Sequence, residues 1–135
     1  MPTEAEWNHA ANAGIHPAPY TYSGSDDIDE VAWYRDNCDI GDGRQIHPVG
    51  ELAPNGLGIY DMSGNVYEMC WDIWGDTFPS GDDNPRGAED GHNRVGRGGS
   101  WTDPEDGCSV YIRRFYTNAT YSNFHLGFRI CRIAP

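Results

Sequence analysis

Ser109, Tyr111, Arg114, Phe115, Tyr116, Thr117, Asn118, Tyr121, Ser122, Asn123, Phe124 and His125 crowd one stretch of the chain, between Ser100 and Gly127. Rigid rings supply contact area, and Ser, Thr and Asn supply adaptable hydrogen bonds, which is the residue mixture of a recognition surface. No Lys, Glu, Gln, Met or Trp occurs from Asp106 to Leu126. A second concentration is the turn Asp61-Met62-Ser63-Gly64-Asn65-Val66-Tyr67-Glu68, whose oxygen donors lie at close spacing. A hard cation takes such a mixture of carboxylates and carbonyls. The same residues also suit a hydrogen-bonded turn in which Asp61 and Glu68 cap backbone amides.

Other chemistries find less support. Cys38, Cys70, Cys108 and Cys131 contain no C-x-x-C pair, which speaks against structural zinc. They are compatible with one or two disulfides or with buried free thiols. His9, His16, His47, His92 and His125 show no metal-ligand spacing and read as surface or loop residues. Arg97-Gly98-Gly99-Ser100-Trp101 lacks the frame of a phosphate-binding loop and the helix that must follow one. Its glycines suit close strand packing, with Trp101 filling the core.

The elements that must position these residues are mostly short. Thr3 is an N-cap with Glu6 as its capping-box partner. Trp7, Ala10 and Ala11 share one face, and Gly14 is a stop, so a helix is expected over roughly Glu4–Ala13. Val31-Ala32-Trp33-Tyr34 reads as a buried turn or a short strand. Val66–Asp72, Ser109–Phe115 and Leu126–Arg132 read as strands, with another extended element starting at Arg97. In the Ser109 strand, Ser109 and Tyr111 fall on one face and Val110 on the other. Gly75 to Gly96 reads as a polar loop. Trp101, Val110, Phe128 and Ile130 are the expected core, and Arg113 and Arg129 read as framework cations bridging strands to carboxylates or loop carbonyls.

A chain of 135 residues makes one domain. Seventeen glycines, nine prolines and 13% aromatics describe a compact, loop-rich α+β fold that buries large rings. The formal charge of −12, with nine arginines and no lysine, excludes a phosphate-backbone binder, so no nucleic-acid partner is expected. It also opposes adsorption to an anionic membrane. No apolar run is long enough for a bilayer, and Met1-Pro2-Thr3 opens no secretory signal, so neither membrane insertion nor a leader is expected.

Four ordered stretches carry a resemblance: Pro2-Thr3-Glu4-Ala5-Glu6-Trp7, Asn55 to Glu68, Arg97-Gly98-Gly99-Ser100-Trp101 and Gly127-Phe128-Arg129. Together they resemble the formylglycine-generating enzyme, or sulfatase-modifying factor, family. That resemblance implies a variant of the C-type lectin fold with short antiparallel strands and few helices, over residues 1–135. It also implies calcium at the turn, through Asp61, the Gly64 and Val66 carbonyls and Glu68, and more weakly near Asn37 and Asp42. The oxygen-dependent enzymes bind copper and substrate with two cysteines five residues apart. Here the first position holds Asp103 and the second Cys108, so no copper is expected, and no iron, because the helical domain that supplies iron ligands in a related branch has no counterpart.

Ligand-binding proteins diversified by diversity-generating retroelements often use this domain. Adenine-directed mutagenesis there scatters Asn codons between Gly-Gly-Ser-Trp and Gly-Phe-Arg into a set like that of Asp106–Leu126. The resemblance therefore implies a non-catalytic variable protein. Its ligand-binding residues would lie in about 102–126: Asp103, Asp106, Ser109, Tyr111, Arg114, Tyr116, Thr117, Asn118, Tyr121, Asn123, Phe124 and His125. The expected partner is a protein or a cell-surface ligand, with display on a prokaryotic or viral surface compatible with it. The alternative is a formylglycine-generating oxidoreductase, or a fragment of one, in which Cys108 keeps a role.

Overall fold

The computed structural model describes residues 1–81, 83–116 and 122–132. Helix α1 spans Glu4–Ala11. Its capping box forms as the sequence predicts: the Glu6 amide donates to Thr3 Oγ1 (3.2 Å) and the Thr3 amide to Glu6 Oε2 (2.8 Å). The helix ends two residues earlier than its spacing suggested, because Ala13 (φ 53°) and Gly14 (φ 76°) turn left-handed. Helix α2 (Ile28–Val31) runs into β1 (Ala32–Trp33), which pairs in parallel with β2 (Ser63–Gly64).

The main sheet holds β3 (Tyr67–Ile73), β4 (Arg94–Arg97), β5 (Arg113–Tyr116) and β6 (Leu126–Gly127), in the order β5-β4-β3-β6. Strand β4 is antiparallel to both β3 and β5, but β6 is parallel to β3. Among the described strands two of the four pairings are therefore parallel, where short antiparallel strands were expected. The polar loop stops at Asn93, and the extended element expected to start at Arg97 ends there. Gly98 (φ 90°) and Gly99 (φ 74°) break it, and a Cβ on Gly99 would lie 2.6 Å from the Gly107 carbonyl oxygen. Close approach does require those glycines.

Two strand expectations need correction. Ser109–Phe115 is not one strand: Glu105–Cys108 form a 3₁₀ turn, and only Arg113–Tyr116 join the sheet. The Val110 amide bonds the Thr21 carbonyl (3.0 Å), and the Tyr111 amide bonds Ser109 Oγ (3.2 Å), so this segment is held by a loop. Of the expected Leu126–Arg132 strand, only Leu126–Gly127 pair with β3. Phe128 (67% exposed) and Ile130 (84% exposed) point outward and are not core. Arg129 turns in to the buried carboxylate of Glu68, and a charge pair of that kind overrides the preference of one Phe for burial.

The core has two parts. One gathers Trp7, Ala11, Met62, Cys70, Val95 and Val110; the other gathers Tyr22, Ile28, Val31, Ala32, Tyr34 and Cys108. Val110 is core as expected, whereas Trp101 is only half-buried. Arg113 is a framework cation: it clasps both Glu4 oxygens (2.6 and 2.8 Å) and donates to the Gly75 carbonyl. No helix among the described residues is long and apolar enough to cross a membrane.

Candidate functional site

Tyr67 opens β3 beside His125, which precedes β6, because the parallel pairing sets Tyr67 opposite Leu126. Tyr116 ends β5 at the other end of the sheet, opposite Arg94, and its ring lies back over Gly96 toward Tyr67. The Tyr67 ring meets Tyr116 edge-on at 5.5 Å between centroids and His125 at 6.2 Å. Phe124 packs on His125 (5.2 Å) and on Trp101 (5.8 Å), which extends the aromatic surface across the Gly-Gly-Ser-Trp loop. Nδ1 of His125 is buried among these rings without a hydrogen-bond partner.

A polar chain runs beneath the rings. Arg114 Nε donates to the Tyr67 hydroxyl (3.4 Å), which donates to Asp103 Oδ1 (2.9 Å). Asp103 Oδ2 accepts from the Ser100 amide (3.1 Å) and hydroxyl (2.5 Å). Burial holds the Tyr67 phenol well above its ordinary range, with the Asp103 charge adding and the Arg114 hydrogen bond opposing. That hydrogen bond to Tyr67 in turn raises Arg114. At neutral pH the Tyr67 phenol is neutral and buried, and above it lie an exposed guanidinium and aromatic faces.

The structure thus assembles Asp103, Arg114, Tyr116, Phe124 and His125, with half-buried Asn123 beside them. It separates the others. Asp106 and Ser109 line an open groove of about 630 Å³ with Arg35 and Asp36. Ser109, at 8% exposure, is a buried residue rather than a strand-face contact. Tyr111 is exposed but faces a different cavity, described below. Thr117, Asn118 and Tyr121 lie outside the described residues. Half-buried Trp101 and buried Tyr67, which underlies the cluster, were missed as part of it. Tyr67 joins through a strand pairing nearly sixty residues distant in sequence, for which no local pattern exists.

Cys108 lies behind this surface, fully buried, and a Cβ on Gly99 would come within 2.9 Å of its Sγ. Burial pushes its thiol up to about 12, and the Asp103 carboxylate adds to the shift. Thiol reactivity belongs to the thiolate, which this burial disfavours at neutral pH. All four cysteines are free thiols.

The turn Asp61–Glu68 borders a cavity of about 500 Å³ whose wall includes Arg129. Glu68 accepts from Trp7 Nε1 (2.7 Å) and from Arg129 through Nε and Nη2 (both 2.5 Å). Asp61 accepts from the Gly50 amide (2.8 Å). Arg129 Nη2 also reaches the carbonyls of Tyr60 and Asp61. A guanidinium therefore neutralises the carboxylate that calcium would need, and Gly64, tucked beneath Trp33, belongs to the β1–β2 pairing. These residues, with Val66, do not fit a resident divalent ion; they fit the capped turn. Asn37 also caps a turn: it accepts from the Tyr34 amide and donates to the Ala32 carbonyl. Asp42 is exposed, and no group of three acidic, His or Cys side chains among the described residues could hold a metal.

A family profile described as "Sulfatase-modifying factor enzyme 1-like domain" matches residues 1–134. The chain is 41% identical over 132 residues to "Chaperone protein LppX" of Paenibacillus barcinonensis, covering 87% of this chain and 44% of that protein. It is 34% identical to the formylglycine-generating enzyme of Thermomonospora curvata, covering 100% of this chain and 49% of the enzyme. The solved structure of Treponema denticola variable protein 1 superposes with a TM-score of 0.79 at 37% identity, over 95% of this chain and 45% of that one. The chain thus spans about half the length of the relatives it matches.

Proposed function

The chain belongs to the sulfatase-modifying factor enzyme 1-like family, and on that premise we propose that it is a non-catalytic ligand-binding variable protein. Residues at about 102–126, backed by Tyr67 and Trp101, form its recognition surface. The observation that carries this reading is the Asp103–Cys108 pair. Where the family's oxygen-dependent enzymes place two thiolates, this chain has a carboxylate tied to Ser100 and Tyr67 and a buried neutral thiol. Formylglycine formation needs both thiolates, so the scaffold keeps its shape without its chemistry.

The aromatic cluster supports binding. Tyr and Phe faces held by mutual packing lose little entropy on contact, and Arg114 adds a directional donor. The ligand is a protein or a cell-surface group, since a chain of charge −12 repels nucleic acid. Diversification by a retroelement would act on this stretch while α1, β3 and β4 hold the frame.

The test is incubation with a Cys-x-Pro-x-Arg peptide, copper and oxygen, followed by mass spectrometry. The proposal expects an unchanged peptide mass; conversion of the cysteine to the aldehyde would overturn it in favour of the oxidoreductase.

A further inference from the structure

His9 and His16 stand apart from every site described so far. His9 occupies the last turn of α1, after which the chain doubles back through left-handed Ala13 (φ 53°) and Gly14 (φ 76°). The Gly14 amide donates to the His9 carbonyl (2.9 Å) and the Ile15 amide to the Asn12 carbonyl (3.0 Å), which closes the reversal. The chain returns to the side of α1, where His9 Nδ1 and His16 Nε2 lie 3.3 Å apart. Seven residues separate them, a spacing that carries no ligand signature in a sequence; the left-handed turn creates the juxtaposition.

The geometry suits a shared ion. An ion held tetrahedrally at about 2.0–2.1 Å from each of two imidazole nitrogens sets those nitrogens about 3.3–3.4 Å apart. Both rings are exposed, so an ion reaches them from solvent and each ring can turn to aim its lone pair. Neither has another hydrogen-bond or ion-pair partner among the described residues. A Cβ on Gly14 would lie 3.4 Å from His9 Nε2, so that edge of the ring faces the turn and Nδ1 is left toward His16. The electrostatics agree. The carbonyl end of α1 is the negative end of its dipole, and a chain of charge −12 attracts cations.

We propose that His9 and His16 form a two-imidazole site for a divalent transition ion of the zinc class, ligated through Nδ1 of His9 and Nε2 of His16. Imidazole suits zinc, copper and nickel, whereas calcium and magnesium take oxygen ligands. Structural zinc takes four protein ligands; with two, water completes the coordination, and the site is weak and fills only when the ion is supplied. The bound ion ties the end of α1 to residues 16–18. These residues wall a cavity of about 300 Å³ that they share with Phe78, Tyr111 and Arg113. His9 and His16 lie outside residues 102–126, so the site goes beyond the recognition surface.

Zinc chloride titrated into the metal-stripped intact chain, read in long-range ¹H–¹⁵N imidazole spectra, is the test. His9 Nδ1 and His16 Nε2 should shift together and saturably. His92, exposed and without a histidine partner, should respond only at zinc concentrations about tenfold higher or more, because it lacks a second tethered ligand. His9→Ala and His16→Ala, at exposed positions, should each fold normally and weaken zinc binding by the same factor, whereas His92→Ala should leave it unchanged. Magnesium should shift neither ring. If the two rings share only a hydrogen bond, zinc will move them no more readily than His92. That result, zinc binding undiminished in His9→Ala or His16→Ala, or an equal response to magnesium would each overturn the inference.

Discussion

Replacing Glu68 by Ala separates the two meanings of the Asp61–Glu68 turn. In the structure Glu68 accepts three hydrogen bonds, one from Trp7 in the core and two from Arg129. Its side chain is 9% exposed and that of Arg129 27%. Removing one partner from a buried pair costs about 3–5 kcal/mol. The solvent around Arg129 lowers that, while the orphaned Trp7 N–H adds about 1 kcal/mol. A net loss of about 2–4 kcal/mol is expected, or roughly 7–15 °C in Tm for a domain of this size. Glu68→Gln, which keeps an acceptor for Trp7, should lose about half as much, because the hydrogen bond survives and the ion pair does not. Thermal melts with and without EDTA and calcium provide the assay. The native chain should melt identically in all three. A drop in Tm with EDTA that calcium restores, and that Glu68→Ala abolishes, would refute the guanidinium account and install calcium at Asp61, Gly64, Val66 and Glu68.

Three further outcomes follow. Val110→Ala should cost about 2 kcal/mol through lost burial, whereas Phe128→Ala and Ile130→Ala should stay within about 0.5 kcal/mol in chemical denaturation; equal losses would restore Phe128 and Ile130 to the core. Cys108 should resist iodoacetamide in the folded state while exposed Cys131 reacts. Burial raises its thiol from the ordinary range to about 12 in the folded chain, so at alkaline pH the unfolded chain releases a proton that the folded chain keeps. The Cys108 contribution is thus intact below pH 9 and declines from there toward pH 12; a Cys108→Ala variant with the same alkaline decline would contradict that assignment. Phe124→Ala and Arg114→Ala should leave stability within about 0.5 kcal/mol and weaken any identified ligand by more than about 1 kcal/mol each; unfolding of either variant would place these residues in the frame.

The sequence revealed the local elements best. The α1 capping box, the left-handed glycines and the seven-residue β3 follow from residue types within a few positions of one another. Strands whose partners are remote were misjudged. Ser109-Val110-Tyr111-Ile112 has β-branched and aromatic content, yet the chain holds it as a turn because Val110 bonds a loop ninety residues earlier. After Gly127 the expected strand does not continue, and Phe128 and Ile130 are exposed while Arg129 turns in to Glu68. The candidate surface was legible as composition. Its division into an aromatic cluster, a groove at Ser109 and a cavity at Tyr111 depends on non-local pairing and was not.

If residues 102–126 are a diversified recognition surface on an inert frame, the DNA around the coding region should carry a reverse-transcriptase gene. It should also carry a near-identical template repeat that covers these codons and differs from them only at adenines, and sequencing that region is the decisive measurement. A sulfatase gene beside the coding region, with no such repeat, would contradict it.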